Sequence, residues 1–197
     1  MGEINQARAY GVQVLPTIGA GVADYWKVVE VRHLSPTENR GRHNVFVDAV
    51  DGKGQRVADR NLRIGWTWAG RRADEPADPK SLDKGPSEPM GNVDLYHGAH
   101  VRVWMIGQGL SSEAVDNLHT EHADEPGPNG ELWNTVGHHS FYVRFQRTAA
   151  GVVQPPIEPP IDLGQGDDLA RLRAEVKALQ IWQGTVVKFM QQMIGEM

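Results

Sequence analysis

The sequence predicts a mainly β protein, a β-sandwich or jelly roll joined to a C-terminal coiled-coil helix. Three observations predict it. Between residues 25 and 148, short runs rich in β-branched and aromatic residues alternate with Gly, Pro and Asp punctuation. That region shows no strand–helix alternation, the pattern a parallel α/β sheet would need. From Leu169 to Met197, apolar residues recur every three and four positions.

Taken in order, residues 1–24 are small and glycine-containing, with Pro16, Gly19 and Gly21, and read as an extended arm or entry strand. Residues 25–148 form the sandwich domain. Its expected strands are WKVVEVRHL, HNVFVDAV, QRVADRNLRIGWTW, HVRVWMIG and HSFYVRFQR. Ile64, Trp66 and Trp68 fall on one face, and Phe141, Val143 and Phe145 on another, because strand side chains alternate. Asp51-Gly52-Lys53-Gly54 reads as a hairpin turn. Residues 70–92 and 110–137 read as long loops, a length that suits a binding role.

Residues 149–166 form a Pro-rich linker whose two Pro-Pro pairs favour a stiff spacer. Residues 167–197 form an oligomerisation helix, capped by Asp167 and Asp168. One heptad position holds Leu169, Val176, Gln183 and Met190; the other holds Leu172, Leu179, Val186 and Met193. Gln183 is the one polar break in the seam. Arg173 and Glu175 flank it where interchain pairs form, and Trp182, Val187, Phe189 and Ile194 widen the apolar arc. A wide arc suits three helices, so a homotrimer is expected.

Composition excludes several classes. A net charge of −5 argues against nucleic acid, whose phosphates need a concentrated basic face. No run approaches the roughly 18 apolar residues of a membrane span. The first residues lack a basic start followed by an apolar stretch, so no secretory leader is expected. The absence of cysteine removes disulfides and thiolate sites together.

The chemistry-bearing residues are weaker signals. His119 and His122 are three apart in a polar segment ending at Pro126, unlike the i, i+4 pair of a helical zinc site. They read as a solvated loop, and no metal or cofactor is expected. His97, His100, His138 and His139 border strands. No Gly-x-Ser-x-Gly elbow or phosphate loop is present, so no catalytic residue is assigned. Core packing accounts for Trp66 and Trp104. Trp68, Arg71, Arg72, Trp133 and Asn134 form the candidate ligand surface, on which an indole stacks against a sugar and polar groups bond its hydroxyls.

At GWTWAGRRADEP and GHHSFYVRFQRT the chain resembles β-sandwich modules of phage-encoded and bacterial proteins acting on cell walls or polysaccharides. The resemblance covers residues 25–148 and implies a carbohydrate-binding-like or immunoglobulin-like recognition domain. The stalk and heptads resemble the layout of phage fibre and decoration proteins. Together they imply a non-enzymatic, oligomeric structural or recognition protein on the virion surface. It would assemble in the cytoplasm and be extracellular after lysis. Its implied partners are copies of itself, other virion proteins and host surface glycans. A soluble carbohydrate-binding module and a glycan- or cell-wall-cleaving enzyme are the alternatives. Light scattering checks the assembly: the full chain is expected to be a trimer and a chain ending at Gly151 a monomer. A monomeric full chain at micromolar concentration contradicts it.

Overall fold

The computed structural model describes residues 4–17 and 24–149. The expected coiled coil over 167–197, its oligomerisation residues and the linker from residue 150 lie outside the described residues.

Each of the five expected runs contains a strand: β2 (Tyr25–His33), β3 (Asn44–Val50), β4 (Arg63–Trp68), which takes only the second half of the run from Gln55, β7 (Val101–Ile106) and β10 (Phe141–Thr148). Five shorter strands join them: β1 (Gln13–Leu15), β5 (Lys80–Ser81), β6 (Gly91–Asp94), β8 (Ser111–Ser112) and β9 (Ala114–Leu118). They form two five-stranded sheets, ordered β6-β3-β10-β2-β8 and β1-β9-β7-β4-β5. β10 is antiparallel to β2 and parallel to β3. Helix among the described residues is confined to a 3-10 turn at Arg8–Tyr10 and the single turn α1 (Pro36–Asn39). No helix there is long and apolar enough to cross a membrane.

Alternation puts one face of each sheet inward, and the two faces share one apolar cluster. β7 contributes Val101, Val103 and Met105; β10 contributes Phe141, Val143 and Phe145. Trp26 of β2 is fully buried between them. Each such side chain contributes about 1.5–3 kcal/mol through apolar area removed from water. Ile64 is buried in this cluster, with Trp66 and Trp68 half-buried at its margin. On the other face of β10, Tyr142 packs with Leu34 and Phe46, and its hydroxyl donates to Asp48 at 2.7 Å.

Two expectations change and one is narrowed. Residues 110–137 are not one loop: β8 and β9 lie within them, and β9 sits between β1 and β7. Its pattern is hard to read because only Val115 and Leu118 are buried and Asn117 has a positive φ of 61°. The N-terminal segment is an entry strand, since β1 pairs with β9 and Ala7 and Val12 are in the core. Trp104 is not core; it alternates outward in β7 and lies across Gly65, where a Cβ would collide with the indole.

The turn at Asp51–Gly54 forms as expected. The Asp51 carboxylate accepts from the backbone N–H of Lys53 and Gln55, at 2.8 and 2.9 Å. The returning chain makes one bridge, Val50 to Arg56, and then crosses to the other sheet as β4.

Gly91 marks a close approach of β6 to β5 of the opposite sheet. A Cβ there would overlap the Ser81 carbonyl oxygen and meet Ile64 Cδ1 at 2.8 Å. Gly91→Ala is expected to cost about 1–3 kcal/mol through overpacking, whereas Gly85→Ala enters open space and should be near neutral. Thermal melts of both variants check this; equal melting temperatures would show that the β5 backbone yields freely.

Candidate functional site

Two antiparallel ladders, one in each sheet, end at the same end of the domain. In one, Phe141 of β10 pairs with His33 of β2; in the other, Val101 of β7 pairs with Leu118 of β9. Histidines flank these pairs in sequence: His33 itself, His139 two residues before Phe141, His100 before Val101, and His119 after Leu118. Residues 119–140 cross from one sheet to the other here and bring His122 between the two sets. The imidazoles therefore form a continuous run. His100 stacks on His119 with ring centres 4.4 Å apart. His119 is 4.2 Å from His122, and His122 is 5.2 Å from His139. His139 is 5.1 Å from His33, which stacks on Tyr10 at 3.8 Å.

The crossover is held by polar bonds. Glu125 accepts from the Tyr10 hydroxyl at 2.6 Å and from Asn134 Nδ2 at 2.9 Å. Asn134 Nδ2 also donates to the Leu34 carbonyl, and Asn134 Oδ1 accepts from Asn39 Nδ2, each at 2.9 Å. Asn39, Asn134 and His139 are fully buried. Buried amides are expensive unless satisfied, so this network fixes the crossover in one arrangement.

Two groups of three potential ligands emerge. His33, Glu125 and His139 each offer an atom within 4.8 Å of the others, and so do His100, His119 and Glu121. In the first, His33 Nε2 lies 2.9 Å from His139 Nδ1, and His33 Nδ1 lies 3.9 Å from Glu125. His122 Nε2 is buried and makes no hydrogen bond to a protein group, while His119 Nδ1 faces Glu121 Oε2 at 3.3 Å and His139 meets the Ala123 backbone. A buried unpaired nitrogen costs about 1–3 kcal/mol, so the His122 ring asks for a partner.

Electrostatics keeps these rings neutral. Burial pushes His33 and His122 down to about 4. Burial also lowers His119 and His139. For Glu125, burial acts upward, but the bonds from Tyr10 and Asn134 hold it below the usual carboxylate value. Neutral imidazoles beside an ionised carboxylate suit divalent transition metals, and a metal here would replace the hydrogen bond between His33 Nε2 and His139 Nδ1.

The ligand surface read from sequence is only partly assembled. Trp68 and Arg71 meet, the guanidinium carbon lying 5.7 Å from the indole centre. Arg72 is exposed and paired with Asp74 at 2.9 Å. Trp133 is 39% exposed beside the exposed Leu132 and Val136. Asn134 is corrected: it is fully buried in the crossover network and is not available at a surface. The solvated reading of His119 and His122 is corrected too, because His119 is only 13% exposed and Thr120 between them is fully buried, whereas Ala123, Asp124, Pro126, Pro128 and Asn129 are exposed as expected. The strand-bordering positions of His100 and His139 were readable. That their strands end together was not, because it depends on sheet order.

No family model matches this chain. No solved structure matches it either.

The lowered histidines set a pH dependence. Between about pH 4 and 6.5 the unfolded chain binds more protons at His33 and His122 than the folded one. Their contribution to stability is therefore full above pH 6.5 and falls as pH drops through that window. The melting temperature in EDTA should decline by several degrees from pH 7 to 5.5, above the range where carboxylates of the unfolded chain begin to take up protons. His122→Gln should flatten the decline. A level melting temperature over the same range would show that the rings charge freely.

Proposed function

We propose that this domain is a non-enzymatic recognition module stabilised by a divalent transition metal on His33, Glu125 and His139. The carrying observation is that ligand atoms from β2, the crossover and the start of β10 converge within 4.8 Å. Tetrahedral zinc bonds of roughly 2.0–2.2 Å put ligands about 3.4 Å apart, a distance that small side-chain rotations reach. Glu125 is already oriented by Tyr10 and Asn134, as outer groups orient metal ligands. An open cleft of about 470 Å³, lined by Tyr10, His33, Arg32 and Glu125, supplies the entry path. A metal there joins three segments distant in sequence, so its binding energy adds to folding.

At the level of the whole chain, the heptads of 167–197 would gather several such domains through a stiff spacer. The proposed setting is a phage virion surface, with host glycans and other virion proteins as partners. A second reading, glycan recognition, is favoured by one feature. A cleft of about 290 Å³ beside Trp68 also exposes Arg102, Asp116 and Asn117, an indole with polar groups around it. Trp133 is not one of its walls, so the sugar site would centre on Trp68.

Thermal melts of the full chain after EDTA, with and without added zinc, test the metal. At free zinc about 100-fold above Kd, stabilisation of about 2.7 kcal/mol should raise the melting temperature by roughly 5–10 °C. Glu125→Gln, which keeps the shape of the side chain, should remove the part of the rise that this position contributes. Unchanged melting with zinc, cobalt and nickel contradicts the proposal.

A further inference from the structure

We propose that the same end of the domain holds a second, separate divalent transition-metal position on His100, His119 and Glu121. The inference extends the metal reading above, and it stands on different residues. These three ligand atoms also lie within 4.8 Å of one another. They belong to the sheet containing β7 and β9, whereas His33 and His139 belong to the sheet containing β2 and β10.

Each ligand is prepared. His119 is 13% exposed, and its buried Nδ1 faces Glu121 Oε2 at 3.3 Å. His100 Nδ1 lies 2.6 Å from Asn117 Oδ1. An amide oxygen only accepts, so Nδ1 carries the proton and Nε2 keeps the lone pair. An acceptor that bonds the proton-bearing nitrogen in this way fixes the tautomer of a metal-bound histidine. Glu121 is anchored by the backbone N–H groups of Gly98 and of Thr120, the latter at 3.1 Å. Burial opposes its ionisation, but the Gly98 bond and the neighbouring histidines hold its carboxyl below the ordinary value.

The surroundings supply the remaining positions. His97 is 71% exposed, with Nδ1 3.8 Å from Glu121, close enough to swing in as a fourth ligand. His100 also lines the cleft beside Trp68, so this position opens to solvent on a different side from the Tyr10 cleft. His122 lies between the two sets and can complete either. Three nitrogen and oxygen ligands with an open direction suit zinc and its borderline neighbours.

The alternative is that His119 and Glu121 form a plain ion pair. The geometry speaks against it, since His100 brings a third ligand atom within 4.8 Å of both.

Zinc counting on the full chain decides the matter. All eight histidines lie between residues 33 and 139, and the chain has no cysteine, so residues 140–197 add no such ligand. After EDTA treatment and zinc titration, elemental analysis should find two zinc ions per wild-type chain. Glu121→Gln should bind one, keeping the part of the zinc-induced rise in melting temperature that the first position contributes. Glu125→Gln should also bind one, keeping only the part that the second position contributes. If Glu121→Gln does not fold, His100→Gln serves, with the same expected loss of one ion. A wild-type chain that binds one zinc, still held by Glu121→Gln and His100→Gln, overturns the second position and leaves the first standing. A chain that binds none overturns both.

Discussion

The Glu125 carboxylate ties together the segments on which the site depends. It takes one hydrogen bond from Tyr10 of the N-terminal turn and one from Asn134 of the crossover. The Glu125 backbone N–H donates to the Asn134 carbonyl at 2.7 Å. Through Asn134 the tie reaches Leu34 after β2 and Asn39 of α1. Without it, residues 119–140 would be a long connection between sheets with little regular structure. With it, the connection is one conformer, and His122, Glu125 and His139 are fixed against His33. The ion that a convergent set of neutral imidazoles would receive is thus approached by groups already in place.

Two forces meet at this end of the sandwich. The apolar core drives the sheets together and takes the ends of four strands with it. Phe141, Val101 and Leu118 are buried, and the histidines next to them in sequence follow. Burial then strips water from imidazoles whose nitrogens are not all paired. A core without a ligand role meets this cost most simply with apolar residues. Here six of the chain's histidines, among them the fully buried His139, gather with Glu121 and Glu125. By contrast, His43 bonds the Leu95 carbonyl at 2.7 Å and meets His138 edge to face, an ordinary structural pairing.

The sheet class and the five main strands were legible because alternation writes itself directly into sequence. Phe141, Val143 and Phe145 needed no context to be assigned inward. β9 was not legible: its two buried residues sit among Asp and Asn, and sheet pairing on both sides makes it a strand. Trp104 was misread for a similar reason. Outward indoles look like inward ones until Gly65 opposite is known to leave room. The site was half legible. Histidines at strand borders could be seen in the sequence, but the spacing of His119 and His122 pointed away from a metal because it was weighed as a helical pair. Ligands drawn from residues 33, 125 and 139 leave no local signature. Asn134 was placed at a surface on loop composition, and its amide proved to be the hub of a buried network.

X-ray absorption at the zinc edge of the zinc-loaded full chain tests the metal centre most directly. Ligation by histidine and carboxylate predicts first-shell nitrogen and oxygen at roughly 2.0–2.1 Å, with the outer-shell scattering of at least two imidazole rings per zinc. A first shell of oxygen alone, with no imidazole scattering, would contradict it.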